Sequence, residues 1–121
     1  MDPKYLNIPN ICFSLTDIND KREPEFIKQR LTRGFDDSET WSLRDTISNF
    51  ILPRLIRFKE IASTHPFDIT EQEWLNTLEK MIKSFELISR DNGALILTEE
   101  ETLIMEEGLD LFRKDFLTLW W

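Results

Sequence analysis

Trp74, Leu75, Leu78, Met81, Ile82, Phe85 and Ile88 recur at intervals of three and four residues. That spacing puts them on one side of an α-helix, and no strand could gather them, because strand side chains alternate between faces. Thr70-Glu71-Gln72-Glu73 ahead of the run reads as a capping box, and Asp91-Asn92-Gly93 behind it as a stop. These signals predict a helix over 71–90. The last segment repeats the grammar. Thr98 and Glu101 form a second capping box, and Glu99, Glu100 and Glu101 load the turn where a helix dipole favours negative charge. Leu103, Ile104, Met105, Leu109, Phe112, Phe116, Leu117 and Trp120 supply the apolar face, and Arg113 and Lys114 lie towards the other end. This predicts a helix over 98–119. Gly108 inside it costs about 1 kcal/mol relative to Ala, which points to a close approach by a neighbouring helix.

Upstream, Pro24 suits a first helical turn and Gly34 the position just past a helix end, so a helix is expected over 24–33. Ser38 or Thr40 would cap the next and longest helix, 40–63. Its apolar positions are Leu43, Ile47, Phe50, Ile51, Leu55, Phe58, Ile61 and Ala62. Pro53 within it removes a backbone donor, so a kink near residues 49–53 is expected, with a split into two helices as the alternative. His65-Pro66 ends the run. In residues 1–22 the loose alternation of Leu6, Ile8, Ile11, Phe13 and Leu15 is interrupted by Pro9, and a short extended arm packed on the helices is expected. The reading is all-α: a compact bundle of about four helices, one domain over 1–121, with a short irregular N-terminal arm and a Pro-kinked long central helix.

Nine Phe and four Trp in 121 residues are ample for a packed interior. A formal net charge of −8 repels phosphate backbones and disfavours general nucleic-acid binding. Cys12 is the only cysteine, so no intrachain disulfide can form, and flanked by Ile11 and Phe13 it reads as a small buried hydrophobe. A reducing cytoplasm is the simplest compartment. No signal-peptide pattern opens the chain, and no apolar run approaches the length of a membrane span.

Side chains for catalysis are sparse. His65 is the only histidine, and at a helix end it is expected to meet carbonyls rather than act as a base. Among the acidic groups Asp36/Asp37/Glu39, Glu99–Glu101 and Glu106/Glu107/Asp110, Glu107-x-x-Asp110 matches the ExxD of helical nucleotide-processing metal enzymes, but the ExxE that pairs with it and the ExxH of di-iron bundles are absent. No catalytic residue, metal or cofactor is therefore assigned. Basic residues are more informative. Arg54 and Arg57 share a helix face, and with Arg33, Arg44, Trp41 and Phe58 they form the kind of arginine-plus-aromatic set that holds the phosphates and base of a small anionic ligand. The plainer alternative is that the arginines pair on the surface with Asp36, Asp37, Asp45 and Glu60. Trp120 and Trp121 are costly to leave in water, so they should dock on the chain's own core or on a second copy.

The blocks RGFDDSETWSLRDTISNFILPRLIRFKEI (33–61), Glu73-Trp74 through KMIKSFELI (80–88) and EGLDLFRKDFLTLWW (107–121) resemble a family of small helical proteins encoded by tailed bacteriophages and prophages. The family pattern has an acid where this chain has Arg44, and KYF where it has Lys114-Asp115-Phe116. The resemblance implies a protein that works by binding, in the host bacterial cytoplasm. One expectation is an anti-defence sponge, a homo-oligomer sequestering a host nucleotide-derived immune signal. A second is a module that inhibits or adapts a host or phage protein. A nucleotide-processing enzyme comes third.

Overall fold

The computed structural model describes residues 13–16, 19–90 and 95–121. Among these the chain is all-α, with four helices and no strand: α1 (Glu23–Arg33), α2 (Leu43–Ile61), α3 (Glu71–Ser89) and α4 (Glu99–Asp115). Two short 3-10 turns, Asp37–Thr40 and Phe116–Thr118, accompany them. The expectations for Cys12, for residues 1–12, 17 and 18 of the arm, and for the Asp91-Asn92-Gly93 stop fall outside the described residues. The chain divides into two compact units, 1–50 and 51–121. Residues 43–50 of α2 belong to the first and 51–61 to the second.

In the first unit α1 opens with Pro24 in its first turn and closes on Gly34, whose left-handed φ of 89° lets its N–H reach the Arg30 carbonyl at 2.9 Å. Neither Ser38 nor Thr40 caps the next helical segment. Asp36, in extended conformation, accepts from the Ser38 N–H at 2.8 Å, while the Glu39 carboxylate reaches back to the Asp36 N–H at 2.7 Å. This capping box winds residues 37–40 into a 3-10 turn, which is why α2 starts at Leu43 rather than at residue 40. α2 then runs unbroken through Pro53, so the alternative of two separate helices is not adopted.

The second unit holds a core of Leu55, Trp74, Leu78, Met81, Ile82, Phe85 and Ile88, with Phe58, Met105, Leu109, Phe112 and Leu119 packed against it. Thr70 and Thr98 cap α3 and α4, each hydroxyl accepting the N–H three residues on at 3.1 Å. At α4 the Glu101 carboxylate also accepts the Thr98 N–H at 3.0 Å and completes the expected capping box, whereas at α3 the threonine half of the box stands. α3 and α4 pack closely. A Cβ placed on Gly108 would stand 2.4 Å from the Lys80 carbonyl oxygen, so only glycine fits the crossing. Beside it the buried Ser84 hydroxyl donates to the Met105 carbonyl at 2.7 Å. Phe112 makes edge contacts with Phe85 and Phe116, centroids 5.2 and 5.4 Å apart. The helix predicted to reach residue 119 ends at Asp115, where the chain tightens into the second 3-10 turn.

Candidate interaction site

The opening turns of α2 are inside out. Ser48 and Asp45 are buried, at 2% and 9% exposure, whereas Leu43, Ile47 and Phe50 keep 55%, 51% and 46% of their surface in solvent. Positions 43, 47 and 50 share a face, as the periodicity required, but that face looks away from the interior of its unit.

Ile47 and Phe50 form one wall of a groove of about 310 Å³ completed by Phe13, Phe35 and Thr46. Phe13 meets Phe50 edge-on at 6.2 Å. The groove's single ionisable lining residue is Glu39, and both of its carboxylate oxygens are engaged, one by the Phe13 N–H at 3.0 Å and the other by the Asp36 N–H at 2.7 Å. The carboxylate therefore holds backbone in place, and what the groove presents is apolar. Arg33 stands beside Phe35, its guanidinium 4.3 Å from the ring centroid and its Nε donating to the Phe35 carbonyl at 3.0 Å.

A buried polar cluster ties the groove's walls together. The Arg30 guanidinium pairs with Glu23 and Asp36 and donates to the Ser14 hydroxyl at 3.1 Å. Thr16 donates to Glu23 at 2.8 Å, and the Leu15 N–H donates to the Ser38 hydroxyl at 2.9 Å. Burial alone would raise the Asp36 carboxyl, but hydrogen bonds from Ser38, Ser14 and Arg30 outweigh it and hold the group below its ordinary range. For Arg30, burial is likewise outweighed, by hydrogen bonds to Glu23 and Asp36, so its guanidinium is held more firmly charged. The cluster fastens residues 13–16 to the corner between α1 and the 3-10 turn. Phe13 takes its place in the groove because of it.

Of the residues assigned to an anionic-ligand site from sequence, Arg33, Trp41 and Arg44 lie in the first unit and Arg54, Arg57 and Phe58 in the second. Arg33 pairs with Asp37 at 2.6 Å, Arg44 lies 3.6 Å from Asp45, and Arg57 pairs with Glu60 at 3.0 Å. The Arg33 and Arg57 pairs are surface pairings of the kind the plainer reading expected, whereas Asp45 and Asp36 are buried, the latter held by Arg30. Arg54 is exposed, and Phe58 packs on the second unit's core. Trp41 does meet an arginine, but it is Arg22, 4.7 Å from its ring, with Phe26 edge-on at 6.0 Å. Arg22 and Phe26 are four residues apart at the start of α1, a helical spacing that could have flagged them. Trp120 and Trp121 stay 69% and 61% exposed, tied to the chain by the Thr64 hydroxyl donating to the Trp120 carbonyl at 3.4 Å.

His65 is exposed, and its Nδ1 donates to the Pro66 carbonyl at 2.9 Å. Among the described residues no three His, Cys, Asp or Glu side chains converge as a metal set, and no helix is long and apolar enough to cross a membrane. No family model, curated protein or solved structure matches this chain.

Proposed function

We propose that this is a phage-encoded binding protein that works without turnover in the host cytoplasm, docking on another protein through the apolar groove of its first unit. The observation that carries the reading is the reversed face of α2, with Leu43, Ile47 and Phe50 half exposed over buried Ser48. Three large apolar side chains held half in water on one face of a helix form an apolar patch of the kind that marks protein interfaces. The preference over a nucleotide sponge rests on the arginines. Arg33, Arg44 and Arg57 each stand beside a carboxylate of their own chain, which an anionic ligand would have to displace. The sponge reading keeps one supporting feature, the stacking of Arg22 over Trp41. Exposed Trp120 and Trp121 support self-association as a second part of the proposal.

Affinity capture from bacterial lysate, comparing the wild-type chain with an Ile47→Asp/Phe50→Asp variant, tests the docking. A partner held by the wild type and released by the variant is expected. A nucleotide that stabilises both proteins equally, with no protein lost from the variant, would replace this reading with the sponge.

A further inference from the structure

The outward face of α4 is divided by charge. Leu103, 64% exposed, starts it; Glu106, Glu107 and Asp110 come next, then Arg113 and Lys114, and Leu117, 86% exposed, follows in the 3-10 turn after the helix. Leu103 and the charged residues from 106 to 114 line one shallow depression of about 470 Å³, so they share a surface in fact as well as in spacing. The acidic half lies towards the N-terminal end and the basic half towards the C-terminal end.

Such a face is complementary to itself when one copy is turned end over end. We infer that α4 is the contact helix of a two-fold symmetric dimer, packed antiparallel against α4 of a second copy with the axis near Asp110. This rests on the self-association proposed above and specifies its geometry. In that register Glu106 faces Lys114 of the second copy, Glu107 faces Arg113, and Leu103 meets Leu117, with every contact made twice. Glu107 already pairs with Lys80 at 2.7 Å, so the second copy's Arg113 extends an existing ion pair into a network. The two Asp110 side chains meet at the axis, the one unfavourable pairing.

The available area fits a dimer. At 69% and 61% exposure, Trp120 and Trp121, which follow Lys114 by six and seven residues, together offer roughly 300 Å², taking about 250 Å² for a whole tryptophan. Leu103, Leu117 and the 56%-exposed Phe116 add a similar amount, so the apolar surface supplies about 600 Å² of the roughly 800 Å² per partner of a standard stable interface, and the charged side chains of the face must supply the rest.

A charge-swap experiment reads the register directly. Glu106→Lys/Glu107→Lys makes the face basic on both sides of the axial Asp110, and Arg113→Glu/Lys114→Glu makes it acidic throughout. The wild type should sediment as a dimer. Each double variant, with helix content intact by circular dichroism, should self-associate at least tenfold more weakly, and a one-to-one mixture of the two should restore a heterodimer by native mass. If either pair fails to fold, Leu103→Asp replaces it and should also give a monomer. A wild-type monomer overturns the inference together with the self-association. A wild-type dimer that persists in both charge variants but dissociates on Trp120→Ala/Trp121→Ala overturns only the α4 geometry.

Discussion

Gly108 of α4 sits so close to Ser84 of α3 that a Cβ on the glycine would lie 2.4 Å from the Ser84 Cβ, as near as it would lie to the Lys80 carbonyl oxygen. Alanine in place of glycine ordinarily favours a helix by about 1 kcal/mol. Here the added methyl would have to push backbone aside, at a cost of about 1–3 kcal/mol for overpacking. Gly108→Ala should therefore lower the melting temperature. Ser84→Gly on that background should restore only part of the loss, because the Lys80 carbonyl remains. A melting temperature at or above wild type for Gly108→Ala would show that α3 and α4 can separate at little cost.

Substitutions on α2 should invert the usual rule that apolar positions are the sensitive ones. Ile47→Ser and Phe50→Ser replace side chains that are already half in water, and each should cost no more than about 1 kcal/mol. Ser48→Leu, at a position 2% exposed, should cost more, because the added volume has nowhere to go. Urea denaturation of the three variants decides. If Ile47→Ser proved the most damaging, the face would be a core face after all.

Acid should loosen the first unit through Asp36. Its carboxyl is held below the ordinary value when folded, so the group contributes stability above its unfolded pKa of about 3.9 and loses that contribution as pH falls through the folded value. Hydrogen exchange of α1 amides should be steady from pH 7 to about 5, after correction for intrinsic rates, and protection should decline below pH 4. Asp36→Asn should flatten that acid decline. At neutral pH it should cost on the order of 3 kcal/mol, since it leaves Arg30 buried with Glu23 as its one remaining carboxylate, while the amide oxygen can still cap the turn. An unchanged acid profile in the variant would assign the sensitivity to another group.

What the sequence shows and what it conceals divide along a physical line. Thr98 with Glu101, Thr70 with Glu73, and Gly34 act within a few residues of themselves, and each sits where local rules put it. Gly108 also signals its close contact. The facing of α2 is not legible, because periodicity tells which residues share a face and not which way that face looks. Ser38 passes for a cap since serine and aspartate both suit the role, and only the fold shows Asp36 taking it. Arg30 looks like an ordinary charge near a helix end. Its burial depends on Ser14, Glu23 and Asp36 converging on it, and no spacing rule predicts that.

The arginines offer the last test, between holding a protein and holding a nucleotide. Arg57 is exposed and paired with Glu60, and Arg54 lies one helical turn before it. Exposed pairs of this kind contribute only about 0–1 kcal/mol, so Arg54→Ala and Arg57→Ala should leave folding almost unchanged. Loss of either side chain is therefore a clean probe of ligand binding. On the protein-docking reading, a panel of nucleotides and cyclic nucleotides should shift the melting temperature of neither the wild type nor the variants. A sponge would behave otherwise, since a ligand at a hundredfold excess over its dissociation constant stabilises by about 2.7 kcal/mol. Stabilisation of that size in the wild type, reduced in both variants and with the nucleotide recovered intact after denaturation, would return these arginines to a ligand site. It would also leave the apolar groove of the first unit without its assigned role.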